Sequence, residues 1–459
     1  NTSFLLLLTT MVVLQSCKDF VEVDTPRTEI VTKSVFNSDA TAEAAIRGIY
    51  ATMNSGNTLS NSSLELYTGL AADELIGLQP GQNEEQFELN NLQTNNIYLM
   101  ADFWQQAYAN IYNANGILEG LAQSAAISPG LKKQLEGEAS FIRAFCHFYL
   151  LNLFGDVPYL KTTDYQVNMR ATRMSKDQVY AAILDDLLMA KPLLSSDYAF
   201  SAQERTRPNR SAATALLARV YLYMGRWADA EVQASLLIDN TSDYGLEPLS
   251  DVFLSGSREA IWQLRMNPNT NGIGQAVRFV FAPGTIDFVN RTALRPSLVA
   301  SFAPGDNRNA AWISSISPPA VGHLDYSHKY KAINYEGSEH TVVFRLAEQY
   351  LIRAEARTQL GRFTGPTGAK VDIDEIRSRA GLGGTPAGDK ASLLVALEAE
   401  RRAELFTEWG HRWLDLKRWN RADAVLGSIK PQWEPTDALF PIPQNEIMNA
   451  PQLTQNPGY

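Results

Sequence analysis

The chain has 459 residues, 45% of them hydrophobic and 20% charged, and carries a formal net charge of -10 at pH 7. That is an ordinary globular composition with enough apolar side chains for a sizeable core, and it excludes intrinsic disorder. The acidic balance, interrupted by no basic tract, opposes phosphate backbones and excludes nucleic acid as a partner, whereas a neutral ligand such as a sugar needs no charge steering.

The first element is an apolar run over residues 4–14, about half of what a transmembrane helix needs and suited to the core of a secretory signal. LQSC follows and ends on Cys17; it resembles the lipobox at which bacterial lipoproteins are cleaved and acylated. The expectation is a signal peptide over residues 1–16, a lipid anchor on Cys17, and an extended tether over residues 17–30, where KDFVEVDTPRTEI carries a proline and only short alternation. The processed chain keeps one further cysteine, Cys146, so no disulfide framework and no cysteine metal site can form within it. Cys146 sits in FIRAFCHFYLL and is expected to be a small core residue.

Residues 31–240 carry helical patterning. SDATAEAAIRGIYATM begins with Ser38 or Asp39 as a cap and offers Ala44, Ile46, Ile49, Tyr50 and Met53 as its buried side. EASFIRAFCHFYLLNLFGDVP places Phe141, Phe145 and Phe148 at i, i+4 and i+7, is apolar nearly all round in its second half, and should stop at Gly155 before Pro158. RSAATALLARVYLYMGRWADAEVQASLLI predicts two helices around Gly225, packed through Ala215, Ala218, Leu222, Trp227, Ala230, Ala234 and Leu237, in the manner of a tetratricopeptide unit.

Over residues 241–340 Gly, Pro, Asn and Ser rise and the 3.6-residue period is lost, which predicts a loop-rich lobe with a few short strands such as AIWQLRM. Residues 341–459 return to helix: VVFRLAEQYLIRAEARTQLGRF resembles another tetratricopeptide first helix ending at Gly361. The proline-rich tail ALFPIPQNEIMNAPQLTQNPGY should lie extended over the body.

No motif asks for a cofactor or a metal. His147, His323, His328 and His340 lack any HExxH-like spacing. There is no G-x-S-x-G elbow, and in GGTPAGDKAS the acidic Asp389 separates Gly388 from Lys390 and spoils a phosphate loop. His411 and Asp415 could form a base and its orienting carboxylate. A structural role fits better, with Leu405, Trp409, Trp413 and Leu416 as a buried stripe flanked by internal pairs such as Glu408 with Arg412. Asp73 and Glu74 are adjacent, a poor geometry for the two carboxylates that glycosidases hold across a scissile bond.

Sugar binding needs flat apolar rings together with planar amides and carboxylates. PGQNEEQFELNNLQTNNIYLMADFW supplies Phe87, Tyr98, Asn90, Asn91, Asn95 and Asn96, and VRFVFAPGTIDFVNRTALRP supplies Phe288 and Asn290, followed by Trp312.

The segments EASFIRAFCHFYLLNLFGDVPYL, RPNRSAATALLARVYLYMGRWADA, FRLAEQYLIRAEA, VDIDEIRSRAGL, ERRAELFTEWGHRWLDLKRWN and LFPIPQNEIMNAPQLTQNPGY, in this order after a lipobox, resemble the SusD/RagB family of nutrient-binding outer-membrane lipoproteins. The resemblance spans almost the whole chain. It implies a mainly all-α, SusD-like helical scaffold of tetratricopeptide-like pairs with an irregular lobe. It also implies a loop-built ligand face that includes Asp73, and a SusC-like TonB-dependent transporter over which the protein acts as a lid. The expected function is therefore non-catalytic capture of a glycan at the cell surface. A peptide is the alternative ligand within the family, and a secreted glycoside hydrolase or a purely protein-binding tetratricopeptide adaptor are the rivals outside it.

Overall fold

The computed structural model describes residues 34–56, 58–78, 81–266, 272–281, 292–319, 321–334 and 337–459. The protein is 54% helical with few short strands. The principal helices are α1 (Asp39–Met53), α2 (Ser63–Ala71), α3 (Gln82–Leu89), α4 (Gln106–Gln123), α5 (Pro129–Phe154), α6 (Lys176–Leu193), α7 (Arg210–Tyr223), α8 (Trp227–Ile238), α9 (Leu346–Gln359), α10 (Ala369–Arg379), α11 (Lys390–Leu405) and α12 (His411–Arg418). From α4 to α11 each packs on the next, so that α8 meets α9 although about a hundred residues of chain separate them.

The physical causes are those visible in the patterning. Ser38 caps α1 by accepting from the Thr41 amide, and Ala42, Ile46, Ile49 and Met53 form its buried stripe; Ala44, expected inside, faces solvent. α5 runs 26 residues and is buried on almost every side of its second half, with Phe141, Phe145, Phe148 and Cys146 all inside. Gly155, at φ +75°, ends it in a conformation that costs other residues. α7 and α8 turn about Gly225, and Ala215, Ala218, Ala230 and Ala234 are fully buried, the small side chains letting the two helices close up.

The loop-rich segment between α8 and α9 carries β2 to β5, with β1 (Leu75–Gly77) preceding it and β6 (Thr341–Arg345) closing it. β2 (Ala260–Leu264) pairs antiparallel with β6 and shuts the segment at its base. β1 pairs antiparallel with β3 (Thr292–Leu294), Leu75 opposite Leu294, and β4 (Ile313–Ile316) pairs with β5 (Leu324–Ser327).

Three further expectations are corrected. VVFR, expected to open a helix, is strand β6, consistent with its β-branched pair, and the helix starts at Leu346. The tail, expected to be extended, includes a six-residue helix, Gln444–Asn449, that begins directly after Pro443. The stripe Leu405, Trp409, Trp413 and Leu416 is buried, but it does not lie on one helix: Thr407, Trp409 and Gly410 have positive φ and break the chain between α11 and α12.

Candidate ligand-binding face

The β1–β3 pairing brings together the two stretches singled out for binding. Arg295 donates its backbone N–H to the Glu74 carbonyl at 2.8 Å, and its side chain lies 3.8 Å from Glu88. The helix Gly274–Phe279 sits against α2, with Gln275 donating to the buried Glu65 carboxylate at 3.2 Å and accepting from Thr341 at 3.2 Å.

Tyr98 stands on this face. Its ring is half-buried and stacks on Tyr67 at 5.0 Å with 23° between planes, and its hydroxyl donates to Glu84 at 3.1 Å. Asn96 fixes the approach, its Oδ1 accepting from the Tyr98 and Leu99 amides and its Nδ2 donating to Gln86 and the Asn83 carbonyl. The chain then makes a π-helical turn over Leu99–Gln105, a local form that occurs preferentially at functional sites. Asp102, on that turn, accepts from Ser63 at 2.8 Å; burial pushes its carboxyl up to about 6, opposed by Ser63 and the Arg278 charge. Burial likewise pushes Glu65 up to about 7, opposed by hydrogen bonds that include Gln275. Asn91 is exposed and accepts from Gln93 at 3.0 Å.

The other candidates are placed elsewhere. Phe87 is fully buried, stacked on the far side of Tyr67 at 4.6 Å and edge-on to Phe440 at 5.6 Å, so it is core and not a binding platform. Trp312 is also core: it is 1% exposed, donates to the Leu249 carbonyl and lies 4.8 Å from the Lys329 ammonium. Asp73 is taken up by a two-toothed pair with Arg412 at 2.7 and 3.0 Å and a contact to Arg402, and these guanidinia hold its carboxyl below the usual range against the opposing effect of burial. Asn90 adopts the left-handed conformation that closes α3 and accepts from the Lys430 ammonium at 2.6 Å. Phe288, Asn290 and Cys17 lie outside the described residues, as do the signal and tether segments.

The enzyme-like constellations are structural. His411 is buried, and burial together with the nearby Arg219 and Arg401 charges drives it well below the usual histidine range, so it stays neutral. Asp415 does not orient it but binds Arg401 at 2.6 Å and Arg418 at 2.8 Å. The expected Glu408–Arg412 pair is also absent: Glu408 serves Arg345 and Lys329, while Arg412 serves Asp73 and Glu398. Glu74 is buried, with burial and the Asp73 charge pushing it up to about 7, and its Oε1 has no partner among the described residues. His147 bonds the Arg143 carbonyl through Nδ1 and accepts from the Leu160 amide, a satisfied core histidine held down to about 3 by burial. Among the described residues no group of three or more His, Cys, Asp or Glu could hold a metal ion, and no helix is long and apolar enough to cross a membrane.

A stack of successive helices with an irregular segment inserted between two of its members is a scaffold of the kind on which loops carry function. Comparison with known proteins places it more narrowly. A SusD-like family profile, described as starch-binding and associating with the outer membrane, matches residues 19–222, and a SusD/RagB profile matches residues 321–459. The chain belongs to the SusD/RagB family. It is 28% identical to SusD-like protein P2 of Formosa agariphila, over 100% of this chain and 99% of that one, and 25% identical to SusD-like protein P25 of the same organism, over 97% of each. Among solved structures, a laminarin-binding SusD-like protein superposes with a TM-score of 0.77 at 22% identity, covering 92% of this chain and 100% of the other. Surface glycan-binding protein A from Bacteroides fluxus also gives 0.77 at 22% identity, over 92% and 99% of the two chains.

Proposed function

We propose that this protein is a non-catalytic surface lipoprotein of the outer membrane, anchored through Cys17, that captures a glycan and presents it to a SusC-like TonB-dependent transporter as its lid. The observation that carries the ligand reading is Tyr98: a half-exposed ring, backed by a buried ring and tethered at its hydroxyl to Glu84, is a rigid plate for the C–H face of a sugar. Exposed Asn91 and half-exposed Glu84 supply acceptors beside it. Relatives that bind laminarin or surface glycans support the same reading, and the family's association with the outer membrane supports the location. Buried His411, out of reach of solvent, and Asp73, held by Arg412 and Arg402, support the non-catalytic reading.

Calorimetry of the intact chain against a panel of neutral oligosaccharides tests this. Binding in the millimolar to micromolar range, about 4–8 kcal/mol, is expected, with little salt dependence because no charge is neutralised. Release of reducing ends would make the protein a hydrolase. Binding of peptides and of no glycan would move it to the peptide-uptake branch of the family.

A further inference from the structure

We propose that the loop carrying Tyr165, Val167 and Met169 is a membrane-docking point, whose three apolar side chains enter the lipid surface of the outer membrane beside the acyl anchor on Cys17. The inference rests on the anchored reading above and deepens it, from where the chain is attached to which face meets the lipid.

Tyr165 is 68% exposed, Val167 56% and Met169 61%, so three large apolar side chains within five residues stand in water. Apolar residues exposed singly are ordinary, whereas a cluster marks a contact. The loop that carries them is built. Asp164 accepts from the Gln166 and Val167 amides and starts a single helical turn, Tyr165–Asn168. Asn168 donates to the Thr162 carbonyl at 2.9 Å, and the Met169 amide donates to the Tyr165 carbonyl at 2.8 Å. From the tail, Gln452 donates to the Met169 and Ala171 carbonyls. These backbone groups are met within the protein while the apolar side chains stay outside, which is what contact with lipid demands, since an unmet N–H or C=O is costly there.

The loop's place in the fold points to lipid as the occupant. It lies along α4: Asn115 donates to the Leu160 and Thr162 carbonyls at 3.1 and 3.3 Å, Glu119 accepts from the Thr162 and Thr163 hydroxyls, and the Thr163 methyl stands over Gly116. One turn further on, the Phe36 ring fills the space over Gly120, and the Ser124 hydroxyl donates to the Phe36 carbonyl at 2.6 Å. Residues four apart on a helix are neighbours, about 5–6 Å from each other. The apolar tip and the point where the chain from Cys17 joins the body therefore share one face of α4. Charge does not oppose the contact, although the whole chain carries -10. Lys161 and Arg170 flank the tip, exposed and without an ion pair among the described residues, and such side chains lay their stems on lipid and reach headgroup phosphates. The carboxylates beside them, Asp164 and Glu119, are bonded to the amides and hydroxyls of the loop itself. Tyr98 opens the other end of the same continuous helical run, about 25 Å from Gly116 at 1.5 Å per residue, so docking sets the Tyr98 plate at the far end of that run.

The test uses the full chain purified from outer membranes and reconstituted in vesicles of phosphatidylethanolamine and phosphatidylglycerol, with Val167→Cys carrying an environment-sensitive fluorophore. Cys146 is buried and does not compete for the label. Val395→Cys, 68% exposed on α11, is the control position. The fluorophore at 167 is expected to shift to the blue and to be quenched by brominated acyl chains, and the one at 395 to do neither. Tyr165→Asp, added to the first variant, should lose both signals without moving the melting temperature, because the ring is exposed. No quenching at 167, or equal quenching at the two positions, overturns the proposal. So does shielding of 167 in whole outer membranes but not in vesicles, which would assign the loop to a protein partner. Labelled fatty acid on the same preparations separates the two readings: a chain labelled at Cys17 but unquenched at 167 keeps its anchor and loses this docking, whereas an unlabelled chain loses both.

Discussion

Phe87 offers the sharpest separation of core from binding face. Tyr67 lies between two rings, Phe87 at 4.6 Å and Tyr98 at 5.0 Å, and Phe87 also meets Phe103 and Phe440. Phe87→Ala removes a fully buried ring from a cluster whose members belong to α2, α3, the π-helical turn and the tail. Such changes cost about 3–5 kcal/mol, from the lost transfer energy and the cavity left behind. That is a large share of a typical stability of about 5–15 kcal/mol. Tyr98→Ala deletes a half-exposed ring and should cost about 1 kcal/mol or less, while removing the sugar platform. Urea unfolding followed by tryptophan fluorescence, with glycan affinity measured on the same preparations, compares the two. The expected pattern is a large drop in midpoint for Phe87→Ala and a loss of affinity with nearly unchanged stability for Tyr98→Ala. If Phe87→Ala keeps the wild-type midpoint and loses binding, the ring touches ligand and the assignment of this cluster as core is wrong.

Asp73→Ala leaves Arg412 and Arg402 facing a missing carboxylate and should cost about 3–5 kcal/mol. Asp73 is depressed in the folded state, so its contribution is present above the unfolded value near 3.8 and fades as pH falls through the lower folded value, which stability against pH in wild type and variant would reveal. Glu74 has the opposite sign. Raised to about 7 from 4.5, it favours the folded state only while protonated, so stability declines as pH rises between those values; Glu74→Gln should raise the melting temperature at pH 8 and leave it nearly unchanged at pH 4. A variant no more stable than wild type at pH 8 would show that the buried carboxylate is better solvated than its orphaned Oε1 implies. Cys17→Ala should abolish incorporation of labelled fatty acid, and unchanged labelling would remove the anchor from the proposal.

Helices with a strong period were legible because burial is periodic: α5 and the α7–α8 pair announce themselves by phenylalanines at i, i+4 and i+7 and by alanines at the contact. The binding candidates were less legible because an aromatic in a polar stretch has two opposite readings. Phe87 is the one apolar ring in QNEEQFEL, and on a polar eight-residue helix such a residue is the one that turns inward. That signal was in the sequence and points to core. Trp312 carried no comparable signal, since its burial depends on Leu249, Phe253 and Lys329, which only the fold brings near. The meeting of Gln275 with Glu65 was invisible for the same reason, since it joins segments about two hundred residues apart; the π-helical turn packs on α2 and α4, and no residue pattern in LMADFWQ marks it.

The charged run ERRAELFTEWGHRW shows how far local spacing can mislead about what charges do. Read along one helix, its acids and bases pair with each other. In the folded chain they reach outward to the loop-rich segment. Glu404 accepts from Arg308 and Arg345 of that segment and from Arg379 of α10, Glu408 from Arg345 and Lys329, and Glu400 from Arg308. These groups are nearly all buried, and the guanidinia hold Glu404 well below the usual carboxylate range against the cost of burial. A hydrophobic contact could join the same surfaces at equal or lower cost, but it would tolerate sliding, whereas planar forks on carboxylates define one register. Asp73 with Arg402 and Arg412 does the same for the turn between α2 and β1. Both sides of the Tyr98 face are thereby fixed to the α11–α12 corner. The consequence is specific: Glu404→Gln should loosen the loop-rich segment first, seen as faster amide exchange over β2 and β6 than over α4 and α5. Uniform exchange across all four would mean the clamp does not position the face.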